Sequence, residues 1–273
     1  MTYVGEVSNY LNSVAPLELA ESWDNVGLLV GRNNAPVRKL MTALTLVPEN
    51  VAEAIELKAD LVVVHHPLPF HALKRITADS TPGSMLLDLI QAGIAVISLH
   101  TAWDNTTSGI NAQLAQIIGL TNCAPLIPSK QPELAKRQLG TGRVGTVAGK
   151  ATLESIAKTL QRTLTIGSVS VVGERLAPVT KVGIVCGSGG SLIAAARESE
   201  CDMFVTGEAT FHQCLEAQSY GISLLLLGHF ASEKFAMNHL GRLISDRYPN
   251  IEVWGSKRES EPSGPLFAVL DTL

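Results

Sequence analysis

The sequence predicts an α/β fold made of two similar, duplicated halves, each with a mixed, mostly parallel sheet, and a metal site between them. Three observations predict it. Short apolar runs alternate with helical patterns, as in strands joined by crossover helices. Lys39 and Asp60 of one such unit recur as Lys181 and Asp202, both 142 positions later. Histidines and carboxylates gather where the predicted strands end, which is where open α/β sheets place their ligands.

The elements follow in order. Tyr3, Val7, Tyr10, Leu11 and Val14 have the spacing of an amphipathic helix. Trp23-Asp24-Asn25-Val26-Gly27 reads as a turn into a strand at Leu28–Val30. Next come a strand (Leu40–Leu46), a helix (Glu49–Lys58), a strand (Leu61–Val64), a helix (Gly83–Gln91) and a strand (Ile94–Leu99). Residues 121–138, with Pro125, Pro128 and Pro132, read as a connector. It separates a first α/β half, residues 1–125, from a second, residues 126–273, whose C-terminal tail is expected to pack back on the first. Arg143–Val147 then reads as a strand, and Leu153–Leu164 as a helix with Thr152 as N-cap.

The repeat follows: a strand (Val182–Cys186), a helix (Leu192–Ser199), a strand (Met203–Thr206) and a strand (Leu224–Leu227). The last leads into a helix marked by Phe235, Ala236, Leu240, Leu243 and Ile244. Ala52, Ala54 and Glu56 match Ala194, Ala196 and Glu198, Gly93-Ile94 matches Gly221-Ile222, and His100/Asp104 matches His229/Glu233. We read this as an ancient duplication.

Composition narrows the function classes. The 273 residues are 46% hydrophobic and 17% charged, so the chain can bury a core without a disulfide or metal staple. Net charge is −4, and Lys136-Arg137 and Lys257-Arg258 are isolated pairs, so neither a nucleic-acid partner nor an anionic membrane surface is indicated. Cys123, Cys186, Cys201 and Cys214 form no C-x-x-C pair and suit reduced thiols of a cytosolic protein. The N-terminus lacks the apolar region of a signal peptide, and Leu224–Leu227 is too short to span a bilayer. A soluble, cytoplasmic protein is expected.

Three strand tips carry the chemistry. His65 and His66 follow the apolar run Leu61–Val64, and adjacent residues on extended backbone point to opposite sides, so the two imidazoles can serve two different metals. His100 and Asp104 lie four apart after the next strand. Asp104 is a hard oxygen ligand, or the start of an Asx-type turn; His100 can ligate, orient or contact substrate. His229 and Glu233 share one face near a helix start, where Glu233 alone would simply complement the helix dipole. Nitrogen and carboxylate donors without cysteine suit two divalent ions among Zn, Fe, Mn, Co or Ni, with five ligands sufficing if one carboxylate bridges. Glu208, at the duplicate position of His66, reads as a base or proton shuttle, or as a solvated strand-end carboxylate. His71, His212 and His239 read as structural.

Two glycine-rich stretches are weighed and set aside. Residues 140–145 match G-x-G-x-x-G, but no strand precedes them and no helix opens from them, as a dinucleotide site requires. Gly187-Ser188-Gly189-Gly190-Ser191 follows a strand and opens a helix but lacks a phosphate-binding lysine, and reads as a tight turn.

In combination these motifs resemble the NIF-three-like family, whose members are also called GTP cyclohydrolase 1 type 2 or dinuclear metal centre proteins. The resemblance covers nearly the whole chain. It rests on Trp23 through Leu28, His65-His66-Pro67, His100 through Asp104, Gly142-Arg143-Val144-Gly145, Thr206-Gly207-Glu208, Gly228-His229 with Ser232-Glu233, and Glu261-Pro262. It implies that His65 and Asp104 serve one metal, that His66 and His229 serve the other, and that Glu233 bridges. It implies also a ring-shaped homohexamer whose metal site faces an interior cavity. Longer members insert a domain between the halves, for which residues 121–138 leave no room. His100 lies outside the five usual ligands and is expected beside them or facing substrate.

The function expected is a metal-dependent hydrolase of a nucleotide-like small molecule, with Glu208 or His100 moving protons. The alternative is a non-catalytic protein that binds, stores or delivers metal or acts as a regulatory scaffold.

Overall fold

A computed structural model describes residues 1–262. Strand Leu61–Val64 shows how the sequence builds the layers. All four residues are buried, and alternate side chains leave opposite faces. Leu61 and Val63 enter one core with Leu40 and Ile97; Val62 and Val64 enter another with Met41 and Val96. A strand covered on both faces has no need of polar alternation, which explains its continuous apolar run.

Two mixed sheets result. The first runs in the order Glu252–Gly255, Lys39–Ala43, Leu61–Val64, Ala95–Ser98, Gly27–Val30, parallel except for the antiparallel edge at Gly27–Val30. The second runs Ser170–Val172, Ser223–Leu226, Met203–Thr206, Pro178–Val185, Arg143–Thr152, Leu120–Ala124, with only its central three strands parallel. The helices Val4–Val14, Ile110–Ile118, Leu153–Leu164 and His229–Arg247 place residues such as Leu11, Leu114, Leu160 and Leu240 in the one core that both sheets share. On the outer faces, Pro48–Glu56 and Thr81–Ala92 cover the first sheet. Ile193–Glu198 and Phe211–Tyr220 cover the second.

Thr152 caps its helix as expected, its Oγ1 accepting from Ser155 N. Elsewhere element bounds move. The expected connector overlaps strand Leu120–Ala124, which pairs with Val144–Val147, and contains a helix at Pro132–Lys136. Residues 44–46 lie beyond strand Lys39–Ala43 and carry the Thr45 side chain to the site. The last long helix starts at His229 itself, so His229 and Glu233, expected near a helix start, lie in its first turns.

The repeated sequence has repeated geometry. Asp60 Oδ2 accepts from Arg38 N and Lys39 N, and Asp202 Oδ2 accepts from Thr180 N and Lys181 N, at 2.8–3.0 Å. Lys58 and Glu200, two positions earlier in each case, take left-handed φ values of 57° and 54°. The register also corrects one match made from sequence. Leu61 pairs with Ala95 and Met203 with Ser223, and His100 N donates to His65 O as Gly228 N donates to Gly207 O. His100 therefore corresponds to Gly228, and His229 to Thr101. Both strand-to-helix turns need positive φ: 26° at His100 and 87° at Gly228. Glycine takes this conformation without strain; a histidine there is held by its surroundings.

Candidate metal centre

The strand tips of both sheets meet. His65 and His66 leave strand Leu61–Val64, Asp104 ends the short helix His100–Asp104, and His229 and Glu233 occupy the first turns of His229–Arg247. His65 Nε2 lies 3.8 Å from Asp104 Oδ2 and 3.8 Å from Glu233 Oε1. His66 Nε2 and His229 Nε2 lie 3.3 Å apart, and Glu233 Oε2 stands 3.1 Å and 3.2 Å from them. The five residues singled out as ligands are thus together.

Their chemistry fits cations. Two donors about 2.1 Å from one tetrahedral ion lie roughly 3.4 Å apart, close to the separations of the His66, His229 and Glu233 atoms. Both ring nitrogens of His65 are buried with no hydrogen-bond partner. Buried polar atoms are ordinarily satisfied, and an unsatisfied group costs about 1–3 kcal/mol. Gly187 opens the remaining space: its φ is +60°, and a Cβ there would stand 2.3 Å from Glu233 Oε1. The tight turn expected at residues 187–191 thus lets backbone approach the centre.

A second set of groups holds these side chains from behind. Thr45 Oγ1 is 2.6 Å from His66 Nδ1, and Ser188 Oγ is 3.4 Å from His229 Nδ1. Glu208 Oε2 lies 3.4 Å from His229 Nδ1 and accepts from Ser188 Oγ at 2.9 Å. Cys186 Sγ donates to Asp104 Oδ1 at 3.3 Å. Asp24 Oδ1 stands 2.6 Å from His100 Nδ1, and its Oδ2 accepts from Thr101 N and Oγ1. The His100 ring contacts those of His65 and His66 at 5.2 and 5.4 Å, and these three histidines offer nitrogens within 4.8 Å of one another. Such partners fix tautomers and ring orientation. Sequence reading had not found Asp24, Thr45, Cys186 or Ser188.

Charge is distributed unevenly. Burial pushes His65 down to about 4, against the pull of Glu233, so at neutral pH it is an uncharged imidazole. Burial, with Glu233 beside it, pushes Asp104 well above the usual carboxylate range. Burial alone would also raise Glu233, but His65, His229 and His66 hold it well below that range. The hydrogen bond to Glu233 lifts His229 to about 9, with burial opposing. A cation binding at His229 must displace its proton, whereas protonation of His65 does not compete until about pH 4. Divalent metal affinity is therefore expected to rise between about pH 7 and pH 9, roughly tenfold per unit for the proton released. Competition titrations with a chelator across that range test this; affinity that is flat or falls above pH 7 counts against His229 as a ligand.

The centre lies in the wall of a cavity of about 1200 Å³. His66, His100, Asp104, His229 and Glu233 line it, and Trp23 and Phe70 stand on its wall as partly exposed rings. No helix among the described residues is long and apolar enough to cross a membrane.

The chain matches the family model Duf34/NIF3 (NGG1p interacting factor 3) across residues 2–262. It is 30% identical over 260 residues to a Clostridium perfringens protein named GTP cyclohydrolase 1 type 2 homolog, covering 95% of this chain and 98% of that one. A Helicobacter pylori protein named GTP cyclohydrolase 1 type 2 is 30% identical over 238 residues, covering 86% and 88%. The crystal structure of Staphylococcus aureus protein SA1388 aligns with a TM-score of 0.86 at 28% identity, covering 97% of this chain and 99% of that one.

Proposed function

We propose, for a chain that belongs to the Duf34/NIF3 family, that it is a metal-dependent hydrolase of a nucleotide-like small molecule. Two divalent ions would be held by His65, His66, Asp104, His229 and Glu233. The observation that carries this reading is how Glu233 divides its oxygens: Oε1 faces His65, while Oε2 faces His66 and His229. One carboxylate between two donor groups is what a shared ligand requires. His65 and Asp104 would hold one ion, and His66 and His229 the other.

When bound, such a pair polarises carbonyl or phosphoryl oxygens and lowers the pKa of water from about 15.7 to about 7. The chain's own residues orient and move protons. Thr45 turns His66 so that Nε2 faces Glu233, and Asp24 leaves Nε2 of His100 free to exchange a proton with substrate. Glu208, beside Nδ1 of His229, fits a positioning role better than that of a base. The names of the relatives support a purine nucleotide as substrate, and family resemblance supports a cytoplasmic homohexamer.

Protein purified without chelators is expected to carry about two divalent ions per chain and to turn over a member of a nucleotide and phosphoester panel. His66→Ala should cut turnover by roughly 100-fold or more while leaving the fold intact by circular dichroism. If the whole panel is inert and the ions pass readily to an apo-acceptor, the protein delivers metal and the hydrolase reading fails.

A further inference from the structure

We infer that Trp23 and Phe70 form a stacking platform for a planar heteroaromatic ring of purine size, which places the ring, rather than a phosphate chain, beside the metal centre. The inference deepens the hydrolase reading and rests on it for the identity of the reacting end.

Both rings line the cavity and keep much of their surface open, 61% for Trp23 and 43% for Phe70. Their centroids lie 6.0 Å apart and their planes are tilted by 34°, nearer to parallel than to edge-on. The His100 ring stands edge-on to both, 5.7 Å from Trp23 and 5.8 Å from Phe70. His100 in turn contacts His65 and His66. The platform is therefore one imidazole away from the candidate ligands. A ring stacked there would bring its own edge toward the centre.

The turn Trp23-Asp24-Asn25 is built to hold this arrangement. Trp23 supplies the platform, and Asp24 fixes the His100 ring. Asn25 Nδ2 donates to Pro69 O at 2.8 Å, pinning the segment that carries Phe70 against the turn. The charge of the wall agrees. Among the described residues lining the cavity, Lys130 is the only lysine or arginine, while Glu18 and Glu21 add negative charge outside the ligand set. A triphosphate finds little to anchor it away from the metals; an uncharged base finds two aromatic faces.

Metal-loaded full-length protein, titrated calorimetrically with guanosine and separately with inorganic tripolyphosphate, tests this. Trp23→Ala and Phe70→Ala should each weaken guanosine binding by about 5- to 150-fold, the range that loss of base stacking brings. Trp23→Phe should restore most of it. Metal content and tripolyphosphate affinity should stay within about twofold of wild type. Guanosine that fails to bind, or binds both alanine variants as tightly as wild type, overturns the inference. So does an equal loss for tripolyphosphate, or a change of sedimenting mass showing that these rings bury a subunit contact instead. Ring binding that depends on Trp23 without any turnover upholds the platform and sinks only the hydrolase reading.

Discussion

Glu233→Gln is expected to reduce metal content from about two ions per chain to one or fewer, the largest functional loss of any single substitution here. The side chain is buried, and its two oxygens face different donor groups, His65 on one side and His66 with His229 on the other. An amide keeps the size but loses the charge. It must also turn an NH₂ group toward one of the two sets, where donor protons face the position of a cation. Changes to groups that merely support a metal ligand cost about 10- to 100-fold in affinity, and the shared ligand should cost more. Fold should survive, because removing a buried carboxylate also removes its desolvation cost. Elemental analysis of the purified variant, with circular dichroism as the fold control, gives the answer. Two tightly held ions in Glu233→Gln would mean that Glu233 does not bridge, and the two-metal reading would fall.

The residues proposed as ligands were legible as candidates because most are announced locally. His65 and His66 end an apolar run, and His229 and Glu233 have the four-residue spacing of one helical face. The groups that hold them were not. Asp24 reaches His100 across 76 positions, Cys186 reaches Asp104 across 82, and Thr45 reaches His66 across 21. Nothing in a turn Asp or a strand-end Cys distinguishes such a role until the chain is folded. The match read from the sequence at Lys39/Lys181 and Asp60/Asp202 has a structural counterpart, one carboxylate accepting from two consecutive N–H groups at or beside the preceding strand in each case. It slipped by one residue at the strand tips. Matching histidine to histidine there ignores the backbone, which needs positive φ at His100 and at Gly228. The α/β class was legible from alternation, but the antiparallel strands flanking the second sheet's parallel core were not. Their pairing is set by contacts across the fold rather than by local pattern.

Arg143→Met is expected to lower stability by roughly 3 kcal/mol, shifting the melting temperature down by about 6–12 °C. Arg143 is only 3% exposed, and its guanidinium donates to the carbonyls of Gly140, Gly142 and Asn105 at 2.7–3.2 Å. This is the physical content of the glycine-rich match at residues 140–145. Gly140 and Gly142 take φ values of 154° and 64°, bending the chain so that its carbonyls converge on a cation rather than its N–H groups on a phosphate. The third carbonyl belongs to the residue after Asp104, so the same guanidinium ties the second sheet to the candidate metal centre. Burial lowers Arg143 only to about 10, and it stays charged at neutral pH. Two effects oppose on substitution. Methionine leaves three carbonyls without donors, at about 1–3 kcal/mol for each that water cannot reach, but relieves the desolvation of a buried cation. The carbonyls should win because they sit in the interior around Asn105, itself 4% exposed. Arg143→Lys, with one ammonium in place of a planar fork, cannot span all three and should recover only part of the loss. A methionine variant melting within about 2 °C of wild type would mean that the charge costs as much as its hydrogen bonds return, and that the bend stands without it.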